Sequence, residues 1–214
     1  MKQDLSDKRK NYSKNYIDFQ TLSKDPLEMF KSWFENAILS NKIDEPNAMS
    51  LATIGQDGFP RTRIVLLKEY NTDGFIFYTN YSSQKGNAIE NSAKICISFF
   101  WPGLEQQIII KGTASKVSTK MSDEYFSKRP FESQIGAVVS AQSSVIDLNE
   151  DLDKKASELQ NKYKGKTVPR PEKWGGYLLK PIEFEFWQGR PSRLHDRLRF
   201  RLENENWITE RLAP

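Results

Sequence analysis

From Arg193 to Leu202 the odd positions carry Arg193, His195, Arg197, Arg199 and Arg201, while the even positions carry Leu194, Asp196, Leu198, Phe200 and Leu202. A period of two belongs to a strand, whose side chains alternate between faces. The pattern predicts an apolar face, interrupted only by Asp196, opposite a cationic row. Like charges that close repel, and a fold keeps them only if something offsets the cost. Two readings stand. The row is either the solvated face of an edge strand, where Lys and Arg are common, or it faces an anionic small molecule. The chain's one histidine, His195, lies inside it, and imidazole is the side chain that titrates nearest neutrality.

Turn signals divide the rest of the chain into short strands. Residues 48–54 and 61–68 flank Gly55-Gln56-Asp57-Gly58, a hairpin signature. Asn71-Thr72-Asp73-Gly74 turns the chain into a strand at 75–79. Residues 94–101 and 105–117 pair around Pro102-Gly103. Further strands are predicted near 176–187, 193–202 and 207–211. A helix opens at Asp25-Pro26, with Asp25 as cap and Glu28 as a capping-box acid. Its Leu27, Phe30, Phe34, Ala37 and Ile38 form a core stripe. Ser82-Ser83 starts a short helix carrying Lys85 and Ile89. Helices are also expected near 119–128, 132–139 and 148–163, the last stopped by Gly165. Residues 1–24 read as a flexible polar arm and 25–214 as one domain. Antiparallel strands with helices inserted late predict an α+β, mainly β, barrel-like fold with peripheral helices.

Composition narrows the function classes. Thirteen Phe, eight Tyr and five Trp suit a β-rich fold or stacking on flat ligands. A net charge of +4 favours anionic partners without demanding nucleic acid. Cys96, the one cysteine, sits in the apolar run Ile95-Cys96-Ile97 and reads as a small buried hydrophobe. One Cys and one His leave no intrachain disulfide and no Cys/His zinc site, so no metal is expected. No apolar run spans a membrane, and a cytoplasmic protein is the default expectation.

Nucleotide-loop motifs such as G-x-G-x-x-G are absent. On a strand, Asp196 points away from His195, so the two do not make half of a catalytic triad. What remains is basic and hydroxyl groups near element ends. Arg61, Arg63 and Lys68 share one strand, and Lys85 follows the next; Arg63 and Lys68 differ in parity and face different ways. Tyr125, Arg129 and Ser133 lie at spacings of four, although Pro130 breaks a helix there. Arg forks and hydroxyl donors suit a phosphate. Taken singly, each set fits packing and capping as well as a ligand.

Together, longer motifs carry a resemblance. They are Arg63-Ile64-Val65-Leu66-Leu67-Lys68, Phe77-Tyr78-Thr79-Asn80, Arg129-Pro130 with Ser133-Gln134-Ile135-Gly136-Ala137, Gln142-Ser143-Ser144 and Trp174-Gly175-Gly176. The most specific are Phe186-Trp187-Gln188-Gly189, Arg193-Leu194-His195-Asp196-Arg197 and the terminal Glu210-Arg211-Leu212-Ala213-Pro214. From about Pro46 onward the chain resembles the pyridoxine/pyridoxamine 5′-phosphate oxidase family. The resemblance implies an antiparallel split β-barrel of the FMN-binding type, working as a homodimer with FMN at the subunit interface. It implies oxidation of pyridoxamine 5′-phosphate or pyridoxine 5′-phosphate at C4′ to pyridoxal 5′-phosphate, with O2 reoxidising the flavin to give hydrogen peroxide.

By motif, the implied flavin set begins with Arg63, Ile64, Val65, Leu66, Leu67 and Lys68. It continues with Tyr78, Thr79, Lys85 and Gln107, and ends with Gln142, Ser143, Trp187 and Arg197. The implied substrate set is Lys68, Tyr125, Arg129, Ser133, Arg193 and His195, with Arg193 and His195 as catalytic residues that orient the ring and assist proton removal. One position departs from the family. Gln84 stands where a flavin-phosphate arginine is usual, keeping one donor but losing the charge and the fork. Weaker FMN retention is expected unless Arg61 or another cation compensates. Rival readings are another split-barrel flavoprotein such as a flavin reductase, a non-enzymatic pyridoxal phosphate carrier, and a nucleic-acid binder using Arg193 to Arg201 with Phe200 and Trp207. The mild charge and the lack of a nucleic-acid motif oppose the last.

Overall fold

The structure, a computed structural model, describes residues 3–214. The helices are α1 (Pro26–Leu39), α2 (Gln84–Asn91), α3 (Thr119–Lys128), α4 (Phe131–Val139) and α5 (Leu152–Tyr163). The strands are β1 (Ala48–Ile54), β2 (Pro60–Leu66), β3 (Glu69–Asn71), β4 (Gly74–Asn80), β5 (Lys94–Trp101), β6 (Gln106–Lys116), β7 (Trp174–Gln188), β8 (Asp196–Glu203) and β9 (Asn206–Leu212). They join in the order β2-β1-β5-β6-β7-β4-β3, with β8 on β7 and β9 on β8. The pairs β3–β4, β4–β7, β7–β8 and β8–β9 are antiparallel. Among the described residues no helix is long and apolar enough to cross a membrane.

Two compact units make up the chain. The first takes the chain up to Met49, Ile97–Lys111 and Ile182–Pro214. Its core is aromatic: α1 sends Phe30 against Phe99 at 5.4 Å, and Phe34 reaches Trp101 at 6.2 Å. Asp25 accepts from the Leu27 N–H at 2.8 Å, and Pro26 begins the helix, as expected from its residue preferences. Burying a Phe as completely as Phe30 contributes about 1.5–3 kcal/mol. Ile38, expected on the core stripe, stays half-exposed at the end of the helix.

Residues 3–24 form no helix or strand, but they are tied to the first unit. Ser13 and Lys14 give their N–H groups to Glu105 Oε2 at 2.8 and 3.0 Å. The Ile17 N–H reaches Asp196 at 3.1 Å, and the Ile17 side chain is buried.

The second unit is Ser50–Cys96 with Gly112–Pro181. β4 packs Phe75 and Phe77 into its centre, where Phe77 meets Tyr177 at 5.7 Å. A second cluster gathers Phe126, Ile135, Val168 and Trp174 beneath α3 and α4. Pro130 separates those helices, since α3 ends at Lys128 and α4 starts at Phe131. α2 is capped by Ser83, whose Oγ accepts from the Gly86 N–H at 3.3 Å.

The strand expected from Arg193 begins later. Pro191–Arg193 form a single 3-10 turn, with Ser192 and Arg193 both left-handed at φ 57° and 61°. No strand passes through two such residues, so β8 starts at Asp196. From there the alternation holds: Asp196, Leu198 and Phe200 are buried, and Arg197, Arg199 and Arg201 are half-exposed.

Candidate functional site

The second unit holds a cavity of 720 Å³. The end of β2 supplies Ile64, Val65 and Leu66, followed by Lys68. β4 supplies Tyr78 and Thr79, and α2 supplies Lys85. Tyr125, Arg129 and Ser133 come from either side of the Pro130 break. The spacing of four therefore delivers three groups to one wall even though the helix does not continue. Leu67, expected in the flavin set, lies in the core at 4% exposure and does not line this space.

Arg129 is the most telling of these residues. Its guanidinium lies over Trp174 at 4.7 Å and Phe126 at 5.6 Å, and Nη1 is buried with no hydrogen-bond partner. Burial lowers its pKa. Leaving a buried donor unmade is costly, more so on a charged group. Next to it three rings stack: Tyr78 on Tyr125 at 3.9 Å, and both nearly parallel to Trp174. Burial pushes Tyr78 up to about 12 and raises Tyr125, so both phenols keep their protons as donors.

A second cavity of 540 Å³ in the same unit is lined by Arg61, Arg63, Gln84, Lys85, Gln142 and Ser143. Lys85 is 8% exposed, and its Nζ meets only neutral oxygens: Gln142 at 2.9 Å, Thr79 at 3.2 Å and Ser83 at 3.4 Å. Burial, then the nearby Arg63 charge, brings its pKa down to about 8. Arg63 likewise donates to Thr53 Oγ1 at 2.7 Å and to the Leu51 carbonyl at 3.2 Å. Among the described residues no carboxylate pairs with Arg63, Lys85, Arg129 or Lys68. Arg61 reaches the same cavity but pairs with Asp57. The sequence grouped Arg61 with Arg63, Lys68 and Lys85 and offered it as a compensating cation; the structure lines one cavity with both Arg61 and Gln84.

In the first unit a cavity of 490 Å³ is lined by Arg190, Ser192, Arg193 and His195, and by Lys8 to Tyr12. The Tyr12 ring stands edge-on to Trp187 at 5.6 Å and to His195 at 5.8 Å; Trp187 lies 4.7 Å from His195. Gly189 makes room, since a Cβ there would sit 2.8 Å from the Tyr12 side chain. Nothing in the Lys- and Asn-rich run around Tyr12 signals this role, because its partners lie some 180 positions later.

Three members of the cationic row have protein partners. Arg197 binds Glu185 at 2.8 Å and the Ala213 carbonyl at 2.9 Å. Arg199 and Arg201 converge on Glu210, and Arg201 also meets Glu203 at 2.7 Å. Cross-strand carboxylates thus offset the repulsion along β8, and an anionic ligand is needed only for the reading of Arg193 and His195. Gln107, on β6, is half-buried and lines none of these three cavities.

Unneutralised cations set among stacked rings make a receptor for flat anionic molecules, built on a mainly antiparallel β fold. Comparison with known proteins gives that class a family. Residues 37–163 match the family model described as pyridoxamine 5′-phosphate oxidase, and residues 174–214 match the pyridoxine 5′-phosphate oxidase C-terminal dimerisation region. The chain is 51% identical over 214 residues to the pyridoxine/pyridoxamine 5′-phosphate oxidase of Christiangramia forsetii, covering 100% of both chains. It is 47% identical to the protein of that name from Haemophilus influenzae, covering 99% of this chain and 100% of the other. Among solved structures, PhzG from Burkholderia lata 383 in complex with tetrahydrophenazine-1-carboxylic acid has a TM-score of 0.88 at 29% identity, covering 96% of this chain and 100% of that one. A pyridoxamine 5′-phosphate oxidase-related, FMN-binding protein from Nostoc punctiforme shares the fold at a TM-score of 0.72 and 14% identity, covering 90% and 100%. The chain belongs to the pyridoxamine 5′-phosphate oxidase family. The expected fold class, an antiparallel split barrel with peripheral helices, is borne out, and a flavin is the cofactor that goes with the family.

Proposed function

We propose that this chain is an FMN-dependent oxidase that converts pyridoxamine 5′-phosphate or pyridoxine 5′-phosphate to pyridoxal 5′-phosphate, working as a homodimer with FMN at the subunit interface. The observation that carries the reading is the pair of cavities in the second unit, which share Lys85 and Gln142 and whose buried cations have only neutral partners. Two phosphorylated molecules, cofactor and substrate, account for two such sets. The names of the full-length relatives support the same reading.

The residues fit FMN. Arg63 and Lys85 supply desolvated positive charge for its phosphate, Gln84, Gln142 and Ser143 supply neutral donors, and Ile64 to Leu66 supply backbone and apolar surface. When bound, FMN would supply the hydride acceptor and the route for electrons to O2. The protein's part is placement. Arg129, with its open Nη1, would grip the substrate phosphate together with Lys68, Tyr125 and Ser133, holding it remote from the reacting carbon. To Arg193 and His195 we assign the pyridine ring, whose C4′ they orient.

An anaerobic titration tests this. FMN-loaded protein treated with pyridoxamine 5′-phosphate should lose its flavin absorbance near roughly 450 nm and regain it on admitting air. Flavin that binds but stays oxidised would move the chain to another activity of the split-barrel class. No flavin binding would overturn the proposal.

A further inference from the structure

The loop that carries His195 is closed on itself. The Arg190 backbone N–H donates to His195 Nδ1 at 3.0 Å, five residues on. The Arg190 side chain is held in turn, with Nη1 2.7 Å from Asp196 Oδ2. Asp196 is 4% exposed and also accepts from the Ile17 N–H at 3.1 Å, while Arg211 faces its other oxygen at 3.6 Å. The two left-handed residues Ser192 and Arg193 lie inside this closure. Such backbone persists only where the surroundings over-determine it.

An amide N–H can only donate, so the ring nitrogen facing it carries no proton. We propose that Asp196 and Arg190 are a positioning pair which, through the Arg190 N–H, holds His195 as the neutral Nε2–H tautomer. His195 then offers the substrate a hydrogen-bond donor and is not the base that removes its proton. This role rests on the oxidase reading; the tautomer does not. The surrounding charges agree. Burial and Arg193 lower the His195 pKa, against a smaller opposing effect of Asp196. From the N-terminal segment Lys8, Arg9 and Lys10 line the same cavity, and Tyr12 contributes its ring. Protonating Nδ1 would set two N–H groups head to head.

A single histidine makes the test clean. In the FMN-loaded protein labelled with [15N]histidine, long-range proton–nitrogen spectra at pH 7.5 should show one imidazole with Nδ1 unprotonated and Nε2 protonated. An Nδ1–H tautomer or an imidazolium would overturn the proposal. Arg190→Gln keeps the backbone N–H but breaks the clamp; it should mix the tautomers and raise the titration midpoint, and Arg190→Lys should restore both. A wild-type spectrum in Arg190→Gln, with its near-ultraviolet dichroism intact, would show that the pair positions nothing. Kinetics test the donor role apart from the tautomer. His195→Gln, which retains a donor, should keep kcat within about tenfold of wild type, a cost of at most about 1.4 kcal/mol, and His195→Leu should lose more. Equal losses in the two variants would refute the donor role and leave the tautomer assignment standing.

Discussion

Arginine keeps opposite company in two parts of this molecule. Along β8, Arg197, Arg199 and Arg201 each meet a carboxylate from a neighbouring strand, Glu185 on β7 or Glu210 on β9. In the cavities of the second unit, Arg63, Lys85 and Arg129 meet hydroxyls, amides, carbonyls and aromatic faces instead. The first set is finished; its charge is spent inside the protein. The second is desolvated without being neutralised, which burial alone makes unfavourable. Residue type does not separate the two sets. The identity of the partner does.

Arg129→Ala should give the largest effect. Removing a charged donor set typically costs about 1.5–3 kcal/mol, so the KM for pyridoxamine 5′-phosphate should rise roughly ten- to hundredfold. Steady-state kinetics would show it, with thermal melting as the control. A melting point that falls while KM stays put would make Arg129 a packing residue and erase the contrast.

Lys85→Met should weaken FMN binding by about tenfold, measured by fluorescence titration. Its pH signature is sharper. The folded-state pKa, about 8, lies below the ordinary 10.5, so between those values the unfolded chain holds a proton that the folded one has shed. Stability of the flavin-free protein should therefore rise across that window relative to Lys85→Met, as calorimetry would register. FMN affinity of the parent should fall over the same range if, as proposed, the flavin phosphate is held by the charged ammonium.

Gln84→Arg adds a fork to the cavity that already holds Arg61, Arg63 and Lys85. FMN should bind a few-fold tighter, by up to about 1 kcal/mol, and an unchanged dissociation constant would sink the idea that Gln84 weakens FMN retention. Smallest of all, Glu210→Gln should leave KM and FMN affinity untouched. It should lower the melting point slightly, and only at low salt, because the pairs it breaks are solvent-screened. A change in KM would show that the row on β8 is not spent after all.

Local chemistry made much of the fold legible. Asp25-Pro26, Ser83, the Gly- and Asn-rich turns and the Pro130 break mark element ends through interactions within a few residues, and the structure follows them. Alternation exposed the buried face of β8 from Asp196 onward. It failed at Arg193 and His195 because a turn with two left-handed residues interrupts the period, and no composition rule marks Ser or Arg for that backbone. The cavities were legible as residue types but not as company. That Lys85 meets Gln142, or that Trp174 underlies Arg129, depends on pairings 57 and 45 positions apart in sequence. Tyr12 was invisible for the same reason.

β7 runs through both units. Its 15 residues pair with β4 from Trp174 to Leu179 and with β8 from Glu183 to Gln188. One uninterrupted strand thus sets the address of Trp174, beneath the Arg129 guanidinium, and of Trp187, beside His195. A slip of one residue turns every side chain of a strand to its other face. Inserting or deleting a single residue between Trp174 and Trp187 would therefore force one half of β7 out of register and turn one of the two aromatics to the wrong face. The number of residues between the two aromatics thus carries structural information that their identities alone do not.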